Sequence, residues 1–304
     1  MKSDLIWMDG ELVPYEQATV HILTPSLHYG VSVFEGLRCY NTPKGPAVFR
    51  LREHMQRFID STHILGIRNF PYTLDELRQA IFETIQANGF TECYIRPLMY
   101  LDGPLGLKLD QARPVVGIAV WEWGNYHGQA ALSEGLRMVI SSYTRLHPNV
   151  NMTKSKVAGN YVNSMLAKTD ALRMGFDEVI LLDPEGFVAE SSGMNLFMVR
   201  GEVIFTPARA TILEGITRDS IITLIGDLGY KLVEEPISRD QLYIADEIFL
   251  VGTAAEVVPV REIDFRTIGG GGMGPVTRRV QEIFFQTVRG EGSRAADWLD
   301  YLPD

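Results

Sequence analysis

The sequence is poor in the features that mark several protein classes. It has two cysteines in 304 residues, Cys39 and Cys93, with no C-x-x-C and no clustered Cys/His spacing. A disulfide framework and a zinc site are therefore excluded, and both thiols read as buried residues of a reducing compartment. No apolar run approaches the ~18 residues of a membrane-spanning helix. The opening stretch MKSDLIWMDGELVPY is too polar for a signal peptide and reads as two short strands joined at Asp9-Gly10. Positive charge is in deficit, with 28 Lys and Arg against 38 Asp and Glu, a net charge of −10. That excludes the broad basic footprint of a nucleic-acid binder, although a local basic pocket can still hold a small anion. There is no G-x-S-x-G and no H-E-x-x-H, and the histidines are scattered at positions 21, 28, 54, 63, 127 and 147. Neither a serine-triad hydrolase nor a zinc hydrolase fits, and no metal is expected. These absences describe a soluble, cytoplasmic protein.

What is present is ordinary globular composition: 46% hydrophobic and 22% charged residues. A chain of this length suggests about two domains and can bury a substantial core. The glycine-flanked stretch GNYHGQAALSEG (124–135) has little apolar periodicity and reads as a linker. It separates an expected N-terminal domain, 1–123, from a C-terminal domain, 136–304.

In the first domain VFEGLRCY (33–40) reads as one strand, with YIRPLMYL (94–101) and VVGIAVWEW (115–123) as others. LREHMQRFIDSTHIL (51–65) has helical apolar spacing, and Thr73 with Glu76 three residues on predicts a capping box for the next helix, stopped at Gly89. In the second domain a helix is expected over about 157–174, a hairpin around Gly201, a helix after Thr217, and a Pro-started helix over 275–290. Strands and long helices do not alternate cleanly, so the class is α+β and not a doubly wound parallel sheet. The run GGGGMG (269–274) neither follows a strand nor carries G-x-G-x-x-G spacing, and is rejected as a dinucleotide fingerprint.

Three segments could carry chemistry. In TKSKVAGNY (153–161), Lys154 and Lys156 precede a helix. They are either solvated surface lysines or include a Schiff-base amine of lowered pKa. In FVAESSGMNLF (187–197), Glu190 is either a strand-end acid in water or a carboxylate held against a cationic partner. In GITRDSI (215–221), a glycine and a threonine open a helix whose free N–H groups and dipole suit an anion, beside the plainer reading of a helix cap. Gly252-Thr253-Ala254 is a further anion-binding turn candidate.

Taken together, HYGVSVFEGLRCY (28–40), FRLREHMQRF (49–58), YIRPL (94–98), SKVAGNY (155–161), the Glu190 segment, LEGITRDS (213–220), ADEIFLVGTAAEVVPV (245–260) and GPVTRR (274–279) resemble the class IV, fold-type IV, pyridoxal-phosphate enzymes. Within them the branched-chain amino acid aminotransferases are most similar. The likeness spans nearly the whole chain, and the order and spacing of the strings make it specific. It implies a two-domain fold, with a small N-terminal α/β domain and a larger C-terminal pseudo-barrel domain. It implies that Lys156, not Lys154, bears pyridoxal 5′-phosphate. Glu190 would meet the pyridine nitrogen, Tyr161 the phenolic oxygen, and Arg57 the phosphate, with Leu213, Ile216, Thr217 and Thr253 completing the cofactor contacts. Phe34, Tyr94, Trp123 and Tyr126 would line the substrate side-chain pocket, and Arg96 would meet the distal carboxylate of glutamate or 2-oxoglutarate. The substrate α-carboxylate would rest at Thr253-Ala254. Tyr29 and Leu107 would reach in from a neighbouring subunit, so a homo-oligomer, a dimer or a trimer of dimers, is implied.

The implied reaction is ping-pong transamination between L-leucine, L-isoleucine or L-valine and 2-oxoglutarate. Met194 departs from the pattern, standing where many branched-chain enzymes carry glutamate, and Ser191-Ser192 replaces a smaller pair. Relatives that act on D-amino acids, on (R)-amines or as an aminodeoxychorismate lyase are the alternatives. A non-catalytic binding protein on the same scaffold is a third. YIRP and GTAAE favour the L-branched-chain reading.

Overall fold

A computed structural model describes residues 3–124, 126–128 and 130–303. The chain forms two compact units, Met1–Trp123 with Ser155–Gly159 and Thr287–Asp304, and Gly124–Lys154 with Asn160–Gln286. The class is α+β, with a sheet and helices in each unit.

The first unit contains β1 (Leu5–Met8), β2 (Glu11–Pro14), β3 (Ser32–Phe34), β4 (Leu37–Thr42), β5 (Gly45–Phe49), β6 (Cys93–Asp102) and β7 (Arg113–Trp121). Its sheet runs from the C-terminal strand Leu299–Tyr301 through β5-β4-β6-β7-β1-β2, with β3 also on β6. Helices α1 (Leu51–Ile64) and α2 (Leu74–Ala87) cover it. Leu51, Met55 and Phe58 of α1 are buried with Leu77, Ile81 and Ile85 of α2 in one cluster with Val33, Leu37 and Ile95 of the sheet. Each such side chain contributes about 1.5–3 kcal/mol. The expected capping box of α2 is present: Glu76 N–H donates to Thr73 Oγ1, and Thr73 N–H donates to the Glu76 carboxylate at 2.7 Å.

The strand expected over 33–40 is broken into β3 and β4, yet the register does not slip. Phe34 faces Leu98 and Leu37 faces Ile95. The break falls at Glu35-Gly36, where Glu35 N–H donates to the carbonyl of Pro97 at 2.9 Å. Proline has no N–H to return, so the ladder is interrupted there. Cys39 and Cys93 face each other across β4 and β6 as buried free thiols.

The second unit contains β8 (Leu136–Thr144), β9 (Glu178–Leu182), β10 (Val188–Ser191), β11 (Asn195–Arg200), β12 (Val203–Thr206), β13 (Lys231–Glu234), β14 (Glu247–Gly252), β15 (Glu256–Ile263) and β16 (Arg266–Thr267). The sheet order is β10-β9-β8-β15-β14-β11-β12-β13, with β16 on β15. The expected hairpin at Gly201 joins β11 and β12. Helices α3 (Tyr161–Arg173), α4 (Ile216–Asp227) and α5 (Pro275–Val288) accompany it. The start of α5 is fixed by buried Glu247, whose carboxylate accepts from the N–H of Val276 at 3.0 Å and of Thr277 at 2.7 Å. A Cβ on Gly274 would meet that carboxylate at 2.1 Å, so glycine is required there.

The helical stretch expected from about residue 157 is present, a 3-10 turn over Ala158–Asn160 leading into α3, and Val157 just before it bridges to Val33. Two expectations change. The domain expected over 136–304 loses its tail, because Leu299 pairs with Phe49 and Tyr301 with Ala47. The expected linker 124–135 clusters with the second unit and includes the helical turn Ala131–Glu134. Asn125 and Gln129 of that stretch lie outside the described residues. No described helix is long and apolar enough to cross a membrane.

Candidate active site

The segment carrying Lys156 is fastened at several points within the first unit. Lys156 N–H donates to Ser61 Oγ at 3.0 Å, and Ser155 Oγ donates to the Ser61 carbonyl at 3.0 Å. Phe34 N–H donates to the Lys156 carbonyl at 3.2 Å, and Gly159 N–H to the Gly30 carbonyl at 3.1 Å. The approach at Gly159 is close: a Cβ there would stand 3.1 Å from the Gly30 oxygen. The Lys156 ammonium lies 4.9 Å from the centre of the Phe34 ring, within cation–π range.

Lys154 is placed differently. In the second unit its ammonium donates to the carbonyls of Arg209 and, at 3.0 Å, Ile212, and pairs with Glu214 at 3.3 Å. These contacts tie Lys154 to a loop as a structural cation.

Phe34, Tyr94, Arg96 and Trp123 come together in the first unit. The Arg96 guanidinium lies 4.8 Å from the Phe34 ring and donates to the Tyr94 hydroxyl at 3.0 Å. Tyr94 meets Trp123 edge-on at 4.5 Å. Trp121, which the sequence reading passed over, joins them 5.2 Å from Tyr94. A Cβ on Gly36 would stand 2.0 Å from the Tyr94 hydroxyl, so the side-chain-free residue after Glu35 makes room for it. Two donors in this cluster, Arg96 Nε and Trp121 Nε1, are buried with no hydrogen-bond partner. Buried polar groups are nearly always paired, so orphaned donors here suit a ligand with acceptor oxygens.

Arg57 is gripped by Glu35. Its Nε and Nη2 donate to Glu35 Oε1 at 2.6 Å and Oε2 at 2.9 Å, and His54 Nδ1 lies 2.7 Å from Oε2. Burial by itself would raise the Glu35 pKa, but Arg57 and then His54 outweigh it and hold the carboxyl well below the usual carboxylate range. Burial pushes the His54 imidazole down from its usual value, against the pull of Glu35.

In the second unit Glu190 is buried near the end of β10 and faces the Arg145 guanidinium. Arg145 Nε donates to Glu190 Oε1, while Oε2 accepts from Asn195 Nδ2 at 3.2 Å and from Leu213 N–H at 3.3 Å. Asn195 also donates to the Leu213 carbonyl at 3.1 Å. Its amide oxygen would be 2.1 Å from a Cβ on Gly215, the residue before α4. Ile216 and Thr217 then open α4, whose N-cap Gly215 provides no side-chain acceptor. The first-turn N–H groups and the dipole therefore point at a position suited to phosphate.

Tyr161 is the first residue of α3, and Thr253 and Ala254 form the turn between β14 and β15. Met194 is buried in the apolar core, its Cγ 3.2 Å from the point where a Gly252 Cβ would stand. Tyr126 falls in the second unit, its ring 5.6 Å from the Lys168 ammonium. Tyr29 and Leu107 of the first unit are exposed, Leu107 by 85%.

Sequence reasoning missed Glu35, His54 and Arg145. Buried charge is expensive unless paired, but their partners lie 19 to 45 positions away, so no local spacing marks them. In the first unit an amine beside an aromatic face and a guanidinium, and in the second a carboxylate held by an arginine and a helix N-terminus without a side-chain cap, are each of a chemistry that suits pyridoxal phosphate.

Residues 32–263 match the family model described as amino-transferase class IV. The chain is 47% identical, over 98% of its length and 97% of the relative's, to the branched-chain-amino-acid aminotransferase of Pseudomonas aeruginosa. Two crystal structures of the T.th. branched-chain amino acid aminotransferase, each covering all of both chains, are also similar. One holds pyridoxamine 5′-phosphate, with a TM-score of 0.96 and 48% identity. The other is complexed with N-(5′-phosphopyridoxyl)-L-glutamate, with a TM-score of 0.95 and 47% identity.

Proposed function

The chain belongs to the amino-transferase class IV family, and from that membership we propose the division of labour among its residues. The protein is a branched-chain amino acid aminotransferase that uses pyridoxal 5′-phosphate. It takes the amino group from L-leucine, L-isoleucine or L-valine in one half-reaction and gives it to 2-oxoglutarate in the second. The observation that carries this reading is the amine of Lys156 against the Phe34 ring, on a backbone segment hydrogen-bonded on both sides.

Bound pyridoxal phosphate supplies an aldehyde that takes up the amino group and a ring that accepts the electron pair left at the substrate Cα. The remaining work falls to side chains. Lys156 would hold the cofactor, and its amine, when free, would take the proton from the substrate Cα. Glu190 meets the ring nitrogen and keeps a proton on it. Arg145, Asn195 and the Leu213 N–H hold that carboxylate in one orientation. Tyr161 meets the phenolic oxygen. Arg57, the Ile216 and Thr217 N–H groups and Thr253 take the phosphate.

Phe34, Tyr94 and Trp123 of the aromatic cluster, and Tyr126 of the second unit, are assigned to the branched apolar chain, and Arg96 to the distal carboxylate of the acidic substrate. The orphaned Arg96 Nε supports an anion there. The substrate α-carboxylate rests at Thr253-Ala254. Tyr29 and Leu107 serve the site of a second copy, making a homo-oligomer the working form, in the cytoplasm. Stopped-flow absorbance tests the reading: L-leucine should convert the bound cofactor to its amine form, and 2-oxoglutarate should restore it.

A further inference from the structure

We infer that Glu35 and His54 are positioning residues that set the guanidinium of Arg57 for the cofactor's phosphate. The inference rests on the assignment of Arg57 to the phosphate.

The geometry is confined to one turn of α1 and the break between β3 and β4. His54 and Arg57 are three residues apart, so both side chains leave the same face of the helix. Both converge on Glu35, a carboxylate with no solvent exposure. Arg57 presents its Nε–Nη2 edge as a two-point fork, which fixes the plane of the guanidinium and hence the direction of Nη1. A single contact would leave the group free to rotate about its bond to the carboxylate. Glu35 Oε2 also accepts from Gly36 N–H at 3.2 Å, and with His54 this anchors the carboxylate itself.

Stability does not explain such a cluster. Its neighbours Val33, Leu37, Met55 and Phe58 are fully buried and apolar. Replacing a buried ion pair by well-packed apolar residues is often neutral or stabilising. Glu35 also offsets the positive charge of Arg57, which would weaken a purely Coulombic hold on phosphate. What the arrangement provides is orientation, and a bidentate guanidinium–phosphate contact depends on orientation.

The test is equilibrium binding of two ligands to the apoprotein, pyridoxal 5′-phosphate and pyridoxal, which differ only in the phosphate. Glu35→Gln and His54→Leu should weaken pyridoxal phosphate by about tenfold, about 1.4 kcal/mol, and pyridoxal by less than about twofold. His54→Asn, which keeps a donor near the Nδ1 position, should restore phosphate binding relative to His54→Leu. If Glu35→Gln fails to fold, the two His54 variants carry the test. Equal weakening of both ligands would mean a structural role only and would overturn the inference. Tighter binding of pyridoxal phosphate would mean that Glu35 merely cancels Arg57, which also overturns it. If the unaltered apoprotein takes up neither ligand, the proposed function itself falls; if it takes up both with equal affinity, Arg57 has been wrongly assigned.

Discussion

The backbone N–H of Phe34 donates to the carbonyl of Lys156, and the Lys156 ammonium lies 4.9 Å from the centre of the same Phe34 ring. One residue thus holds both ends of the lysine, its main chain by a hydrogen bond and its cation by an aromatic face. Phe34→Ala removes the ring and leaves the backbone bond available. Turnover with L-leucine should fall by about tenfold or more, while cofactor content stays near that of the parent protein. Loss of cofactor in this variant would mean that the ring acts on retention and not on substrate.

Arg96→Ala should separate the two half-reactions. The guanidinium sits against Phe34 and Tyr94 with Nε unpaired. A charge-assisted hydrogen bond contributes about 1.5–3 kcal/mol, so the glutamate half-reaction should slow by about ten- to a hundredfold. The leucine half-reaction should change much less. Single-turnover rates for each amino acid measure this, and equal losses would remove Arg96 from the acidic substrate.

Arg145→Met should leave Glu190 buried without its cation. Breaking a buried pair from one side costs about 3–5 kcal/mol. The apoprotein should melt at lower temperature, and the protonated form of the bound cofactor should be less favoured. Thermal melts and a pH titration of the visible band check the two parts separately.

Gly36→Ala should disturb the aromatic cluster, because the added methyl would stand 2.0 Å from the Tyr94 hydroxyl. Overpacking of this kind costs about 1–3 kcal/mol. Adding Tyr94→Phe removes the clashing oxygen and should recover part of that stability. A double-mutant cycle by denaturant unfolding gives the coupling.

Acid should weaken the second unit through His127. Burial, with Lys168 adding to it and Glu178 opposing, pushes this imidazole down from 6.5 to about 4. The folded form therefore binds fewer protons than the unfolded form between those values. Stability from this group is complete above about pH 6.5 and is lost as pH falls toward 4, by on the order of 3 kcal/mol. His127→Gln should flatten the dependence of melting temperature on pH over that window.

The parts legible in the sequence are those set by neighbours along the chain. The Thr73–Glu76 capping box and the hairpin at Gly201 depend on residues within a few positions, and the structure has them. What was hidden depends on distant partners. Strand 33–40 breaks because Glu35 faces Pro97, and Val157, just before the helical stretch that carries α3, bridges to Val33. The tail leaves the second unit because Leu299 finds the edge of β5. Among the chemical groups, family likeness pointed to Lys156 and Glu190. It was silent on Arg145 and on the Glu35–His54 pair that hold the charged residues in place.

The most direct measurement is the visible spectrum of the purified protein with pyridoxal 5′-phosphate, before and after L-leucine, for the parent and for Lys156→Ala. The parent should show a yellow band that L-leucine bleaches and 2-oxoglutarate restores, and Lys156→Ala should lack the lysine-bound band and turn over negligibly. A yellow parent indifferent to L-leucine, or an unchanged band in Lys156→Ala, would contradict the assignment.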